Sequence, residues 1–229
     1  MKNKKFIALI PARGGSKKIK NKNIKFFLGK PLVFWTIEAA IKSKMFSKIY
    51  LSTDSIKMIN LVKKFKEIKI LKRSKILSGD NVVMFDVIKN FYESLDLKNF
   101  EFKGLVLLQP TSPLRTKEDI VKSCKLFNKY NPDSLVSVCE LNHQFHPDNI
   151  FKKNKDKLKR IKAKKNSLRQ NKPKLYSGNG SAIYITHKKN ISKFIIGGNI
   201  IGYEMPENRS IDIDRDYDFK LAELVKVNE

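Results

Sequence analysis

The chain is poor in cysteine, histidine, arginine and acid, and each shortage removes a class of function. Its two cysteines, Cys124 and Cys139, have no Cys or His at metal-ligand spacing, so neither a disulfide framework nor a zinc motif is encoded. They read as reduced thiols packed like small apolar residues. Three histidines, two of them in HQFHP (His143 and His146), are too few and too poorly spaced for a zinc site. No apolar run reaches the roughly 18 residues of a membrane span. The apolar stretch of MKNKKFIALI stops at Pro11-Ala12-Arg13 without a small-residue cleavage site. It therefore reads as a strand and not as a signal peptide, and a cytoplasmic location is expected.

Acid is scarcer than base: 22 acidic residues face 48 basic ones, for a net charge of +26. Such an excess suits a nucleic-acid binder. Against that, only seven of the basic residues are arginine, the side chain that base readout and bidentate phosphate contact favour. The lysines are also spread over every predicted helix and loop with no single stripe. A solvated basic surface is the simpler expectation, with RNA binding as the rival. At 229 residues and 41% hydrophobic, the chain suits one sizeable domain, 1–229.

What is present is an alternation of strands and helices. Lys5 to Ile10 is an apolar run closed by proline, the pattern of a strand buried on both faces. Pro31 at a first-turn position opens a helix over PLVFWTIEAAIKSK. Strands follow at Lys48 to Thr53, 67–72, Leu105 to Gln109 and Leu135 to Val138. Helices are predicted over 56–66, after Asp80 as a cap, and after Thr116, whose partner Asp119 makes a capping-box variant. Between 141 and 177 the rhythm breaks into a basic, irregular arm or flap. Strand signals resume over Ser181 to Thr186 and near 199–204, and a helix over about 216–226 ends the chain. This order implies an α/β fold, a mostly parallel sheet with helices on both faces. Ligands in such folds bind beyond the carboxyl ends of the strands, so the loops after residues 10, 53 and 109 belong near the site.

Three stretches carry chemistry. In PARGGSKKIKNKN (Pro11 to Asn23), Gly14 and Gly15 permit close backbone approach and positive φ, so adjacent N–H groups can face one anion. Arg13, Ser16, Lys17 and Lys22 add donors and charge of the kind a triphosphate needs. Lys18 and Lys20 read as general basic surface. Neither a Walker A loop nor a dinucleotide fingerprint is present, and a plain strand-to-helix connector remains open. In LLQPTSPLR (Leu107 to Arg115) two prolines stiffen a loop presenting Gln109 and Arg115, an amide for hydroxyls and a guanidinium for a carboxylate. A rigid turn is its alternative. In SIDIDRDYDF (Ser210 to Phe219) alternation places Asp212 and Asp214 on one face of a strand end, a costly pairing unless a cation intervenes. Magnesium (Mg²⁺) takes one or two carboxylates plus phosphate oxygens. Asp216 and Asp218 suit the next helix N-terminus.

With STD (Ser52 to Asp54) and NGSAIYI (Asn179 to Ile185), these motifs resemble, in order, the CMP-N-acylneuraminate synthetase family over about residues 6–226. The resemblance implies a nucleotide-diphospho-sugar transferase (Rossmann-like) architecture with a small dimerisation arm at 141–177, hence a homodimer. It implies CTP as substrate, Mg²⁺ as cofactor, and transfer of CMP to the anomeric hydroxyl of an acidic nine-carbon sugar. Site roles follow by position. Arg13, Gly14, Gly15, Ser16, Lys17 and Lys22 match the triphosphate site, and Asn23 and Arg73 the cytosine and ribose contacts. Gln109, Arg169 and Tyr184 match the sugar site, Arg169 facing its carboxylate. Asp212 and Asp214 match the metal ligands, and with Arg13, Lys17 and Lys22 make the catalytic set. Two departures, DNIF (Asp148 to Phe151) and Phe194-Ile195-Ile196, leave the acid open among N-acetylneuraminate, legionaminate, pseudaminate and their kin. A CMP-3-deoxy-octulosonate synthetase or another sugar nucleotidyltransferase is the nearer alternative.

Overall fold

The computed structural model describes residues 5–95, 97–161 and 173–228. The apolar run that opens the chain forms β1 (Phe6–Pro11), buried along its whole length. A two-residue hairpin, β2 (Phe26–Phe27) with β3 (Lys30–Pro31), leads into α1 (Leu32–Ser43). Then come β4 (Phe46–Thr53), α2 (Ile56–Val62), β5 (Ile68–Lys72), α3 (Met84–Ser94) and β6 (Gly104–Leu107). The second half holds α4 (Lys117–Tyr130), β7 (Ser134–Glu140), β8 (Phe151–Asn154), β9 (Lys157–Arg160) and β10 (Tyr176–Gly178). It closes with β11 (Tyr184–His187), β12 (Ile200–Glu204) and α5 (Asp216–Val227).

Strands β6, β1, β4 and β5 lie side by side and parallel. Strand β11 inserts antiparallel between β6 and β7, β10 pairs antiparallel with the far end of β7, and β12 runs parallel to β7. The sheet is thus mostly parallel, as the alternating order requires. Two-residue periodicity sends β1 side chains to opposite faces. Phe6, Ala8 and Ile10 join a core with Val33 and Ile37 of α1 and Ile120, Cys124 and Phe127 of α4. Ile7 and Leu9 join the other core, against Ile88, Phe91 and Tyr92 of α3.

A third, smaller cluster matters most for the site. Ile19 of the first loop, Phe27, Leu32, Leu114, Ile213, Phe219 and Ala222 pack together. Burial of such side chains contributes about 2 kcal/mol each. It fastens the glycine loop and the stretch holding both aspartates to the same spot, though nearly 200 residues separate them in sequence.

Several local expectations change. Pro31 lies just before α1, with φ −52° and ψ 137°, because its backbone completes the short hairpin with Phe26. Asp80 does not cap α3: the helix begins at Met84, the residue before it is Val83, and no side chain caps it. Strand β6 stops at Leu107, leaving Gln109 in the loop beyond it. The Ser210–Asp214 stretch forms no strand, although inside-outside alternation survives at its end: Ile213 is buried and Asp214 exposed. The 141–177 arm contains a two-stranded hairpin, β8 with β9, every residue of which is exposed. The Thr116–Asp119 capping box forms as expected.

Candidate active site

A cavity of about 170 Å³ opens at the carboxyl ends of β1 and β6. Arg13, Gly15, Ser16, Lys22, Asn23, Arg73 and Gln109 all line it, with Pro11, Met84, Pro110 and Thr111. Of the residues expected from sequence, these seven meet in one place. Gly14 and Lys17 belong to the same loop but lie outside that lining.

The two glycines differ in what they do, and neither takes positive φ. A side chain at Gly14 would meet Ser55 Cβ at 2.9 Å, so the loop's approach to the turn after β4 requires glycine there. The Gly14 amide donates to Asp54 Oδ1 at 2.8 Å. Gly15 faces open space, where a Cβ would touch nothing. Asn23 turns its side-chain amide back onto the Arg13 carbonyl at 3.0 Å and so braces the loop's first cation.

Arg73 is buried, with Nε and Nη2 donating to the hydroxyl and carbonyl of Ser52 at 3.1 and 3.0 Å. Burial lowers its pKa, and Asp54 opposes that shift. Arg13 Nη1 reaches the carbonyls of Ser78 and Gly79 and the Asp80 carboxylate at 3.0 Å, while Lys17 Nζ takes the other Asp80 oxygen at 3.1 Å.

The Asp pair occupies the opposite flank. Lys22 Nζ donates to the Ile213 carbonyl at 2.6 Å and to Asp214 Oδ1 at 3.2 Å; Lys18 Nζ takes Asp214 Oδ2 at 3.2 Å. Lys18, expected on the general surface, is therefore part of this cluster. Desolvation works against ionisation of Asp214, but Lys18 and Lys22 outweigh it and lower its pKa. Asp212 behaves oppositely: burial raises its pKa, with the nearby Thr111 hydroxyl and then Lys22 opposing, and its Oδ1 is buried with no partner at hydrogen-bonding geometry. A Cβ on Gly180, whose φ is +70°, would lie 2.3 Å from Asp212 Cγ, so the NGS turn must present glycine to that carboxylate. Among the described residues no group of three or more His, Cys, Asp or Glu could hold a metal alone. Two carboxylates, one with an unsatisfied buried oxygen, match the donor set of a magnesium ion that also takes phosphate oxygens and water.

Further ties fix this flank. The Asn179 amide donates to Ser210 Oγ at 3.0 Å and accepts from Ser137 Oγ at 2.6 Å. Asp119, buried, receives Arg209 Nε and Nη2 at 3.2 and 2.8 Å and Tyr203 Oη at 3.0 Å. Desolvation notwithstanding, Arg209 and the Thr116 amide hold its pKa low.

Arg115, read from the sequence as a guanidinium for a carboxylate, turns inward and does not line the cavity. Its guanidinium is buried and donates to the Ala182 carbonyl at 2.6 Å, the Gln109 carbonyl at 3.2 Å and Thr36 Oγ1 at 2.6 Å. Burial pulls its pKa down to about 9, against the attraction of Asp119, so it stays charged at neutrality. It ties the LLQPTSPLR loop to the NGS turn and α1. Tyr184 sits on β11 beside Leu107 and Val136 and does not line the cavity. Arg169 lies outside the described residues. Asp54 and Asp80 are given no site role by the sequence reading, where one closes the STD motif and the other reads as a helix cap.

Comparison with known proteins accords with this architecture. A family model described as Cytidylyltransferase matches residues 7–226. The N-acylneuraminate cytidylyltransferase of Streptococcus agalactiae serotype III is 36% identical over 217 residues, covering 93% of this chain and 51% of that protein. The one of Escherichia coli O18:K1:H7 is 34% identical over 95% of this chain and 51% of its own length. The chain thus spans about half the length of these curated relatives. The pseudaminic acid cytidylyltransferase of Campylobacter jejuni serotype O:2 is 30% identical, over 100% of this chain and 98% of its own. A CMP:2-keto-3-deoxy-manno-octonic acid synthetase complexed with CTP shares the fold, with a TM-score of 0.71 at 15% identity over 98% of this chain and 99% of its own. With a family match running nearly end to end and the motif loops converging on one cavity, the chain belongs to the cytidylyltransferase family.

Proposed function

We propose that the chain transfers CMP from CTP to the anomeric hydroxyl of a sialic-acid-like nonulosonic acid, releasing pyrophosphate, in the cytoplasm and for surface-glycan synthesis. The observation that carries this is the convergence of Arg13, Ser16, Lys22, Asn23, Arg73 and Gln109 on one cavity flanked by Asp212 and Asp214. Family membership and the named relatives support the reaction class.

In the proposed reaction the sugar's hydroxyl oxygen bonds to the α-phosphorus, and the bond from that phosphorus to the bridging oxygen breaks. Pyrophosphate leaves with the electron pair, and the hydroxyl proton passes to water. Arg13, Lys17 and Lys22 neutralise the phosphate chain by positioned charge, and Ser16 donates a hydrogen bond to it. Asn23 and Arg73 take the base and ribose, the latter rigid because Ser52 already holds it. Gln109, Tyr184 and Arg169 receive the sugar acid. Asp212 and Asp214 would hold Mg²⁺, which when bound supplies charge stabilisation at the phosphate oxygens. Two chains pair through the 141–177 arm in this proposal. Ile150, Phe151, Leu158 and Ile161 are exposed there on a hairpin that is marginal by itself.

Turnover of CTP with Mg²⁺ and a panel of nine-carbon acids, followed by pyrophosphate release, tests the proposal. Release with at least one acid is expected; none with any acid, from folded protein, sinks it. The match to the C. jejuni relative over the full length of both chains favours pseudaminic-type acids as a second reading, against the higher identity to the N-acylneuraminate enzymes. The same panel separates the two. Asp212→Asn should reduce magnesium-dependent turnover at least about 100-fold while circular dichroism stays unchanged; full activity would remove the metal assignment.

A further inference from the structure

Two cations assigned to the nucleotide's phosphates already share an anion. Arg13 Nη1 and Lys17 Nζ lie 3.0 and 3.1 Å from the two oxygens of one carboxylate, that of Asp80. A phosphate group would bridge the same pair with two of its own oxygens. Asp80 stands on the irregular stretch between β5 and α3, which also offers Arg13 the carbonyls of Ser78 and Gly79 at 3.3 and 3.2 Å. Lys17 and Arg13 hold the Asp80 carboxyl below its ordinary range, so it is charged at neutral pH. The Asp80 side chain is 45% exposed, which leaves room for it to swing into solvent.

We propose that Asp80 is an internal counter-anion for the Arg13–Lys17 pair, exchanged for nucleotide phosphate on binding. The proposal rests on the nucleotide reading above. The exchange makes Asp80 a specificity residue, because an incoming group must outcompete a carboxylate already in place. A polyphosphate, with several charges and many acceptor oxygens, does so; a neutral nucleoside gains nothing from it. Like-charge repulsion between bound phosphate and Asp80 then drives the Ser78–Asp80 stretch off Arg13.

Equilibrium titration of wild type, Asp80→Asn and Glu67→Gln with CTP, inorganic pyrophosphate and cytidine tests this. Glu67 is exposed on the loop before β5, so its variant measures the effect of removing a distant charge. Asp80→Asn is expected to bind CTP and pyrophosphate about three- to tenfold more tightly, the scale of one or two exposed ion pairs. Cytidine affinity should not move, and Glu67→Gln should match wild type for every ligand. The gain should shrink as salt is raised, since these pairs are solvent-accessible. Unchanged or weaker CTP and pyrophosphate binding in Asp80→Asn, with wild type binding CTP normally, overturns the exchange and leaves the nucleotide reading intact. Equal tightening of cytidine, or the same gain in Glu67→Gln, also overturns it. Failure of the folded wild type to bind CTP at all would sink the nucleotide reading and this inference with it.

Discussion

Two stretches carry much of the chain's surplus charge, and they treat it in opposite ways. Along Arg13–Lys25, Arg13 and Lys17 meet Asp80, Lys18 and Lys22 meet Asp214, and Lys25 meets Asp216. Along Phe151–Arg160, Lys152, Lys153, Lys155, Lys157 and Lys159 stand exposed, and none has an ion-pair partner among the described residues. The first stretch draws three carboxylates, Asp80, Asp214 and Asp216, to its cations. Carboxylates gathered around cations in a chain of +26 mark a built site. Bare lysines on a hairpin mark a solvated surface. Net charge alone could not separate the two; placement does.

The sharpest way to break this contrast is to cut what holds the site together. Arg115→Met removes a buried guanidinium and with it the donors to the Ala182 carbonyl and the Thr36 hydroxyl and one of the donors to the Gln109 carbonyl. A loss of about 3–5 kcal/mol is expected, readable by urea denaturation. A loss below about 1 kcal/mol would mean the LLQPTSPLR and NGS loops are positioned by something else.

Next in size is Ile213→Ala, which empties part of the small cluster joining the glycine loop to α5. We expect about 2–4 kcal/mol of destabilisation. The magnesium concentration for half-maximal turnover should rise as well, because the Asp212–Asp214 stretch loosens. Stability loss with an unchanged magnesium requirement would confine Ile213 to packing.

A pH experiment sharpens the comparison at a carboxylate remote from both stretches. Asp133 is held near pKa 2, first by the Asn199 amide and then by Lys189 and Asn190. Its folded value lies below the unfolded one of about 3.9, so its contribution is present above about pH 4. That contribution fades as pH falls toward 2. Asp133→Asn should therefore lower Tm at pH 6 and converge on wild type near pH 2; a constant offset across the range would refute the linkage.

The elements were legible where one physical rule dominated. Buried parallel strands read as apolar runs, and Phe6–Pro11 follows that rule without exception. Thr116 with Asp119 marks the start of α4 because both partners of the capping box are local. Motif order pointed to the glycine loop, Arg73 and Gln109 as candidates, and the fold brings Arg13, Gly15, Ser16, Lys22, Asn23, Arg73 and Gln109 to one cavity. What sequence hid was pairing across distance. Asp80 sits where a helix cap is plausible, and its bond to Lys17 depends on two loops meeting in space. Arg115 reads like a ligand because nothing local announces that Ala182, 67 residues later, will enclose it. Gly14 reads as a place for close backbone approach to an anion and for positive φ; its φ is not positive, and what it approaches closely is Ser55.

The smallest expected effect on stability belongs to the hairpin, and it tests the other half of the comparison. Leu158 on β9 is 61% exposed, and β8–β9 forms a two-stranded sheet of its own. Leu158→Ser should change the stability of a single chain by no more than about 0.5 kcal/mol, as exposed substitutions do. If two chains pair through this arm, the same change removes apolar area from their interface and shifts the mass measured by light scattering toward the monomer. Lys157→Gln on the same strand should leave that mass unchanged, because a solvated lysine contributes charge and little burial. A monomeric wild type, or a dimer indifferent to Leu158→Ser, would separate the exposed apolar side chains from chain pairing. The bare lysines would then be all that distinguishes this stretch, and solubility the simplest account of them.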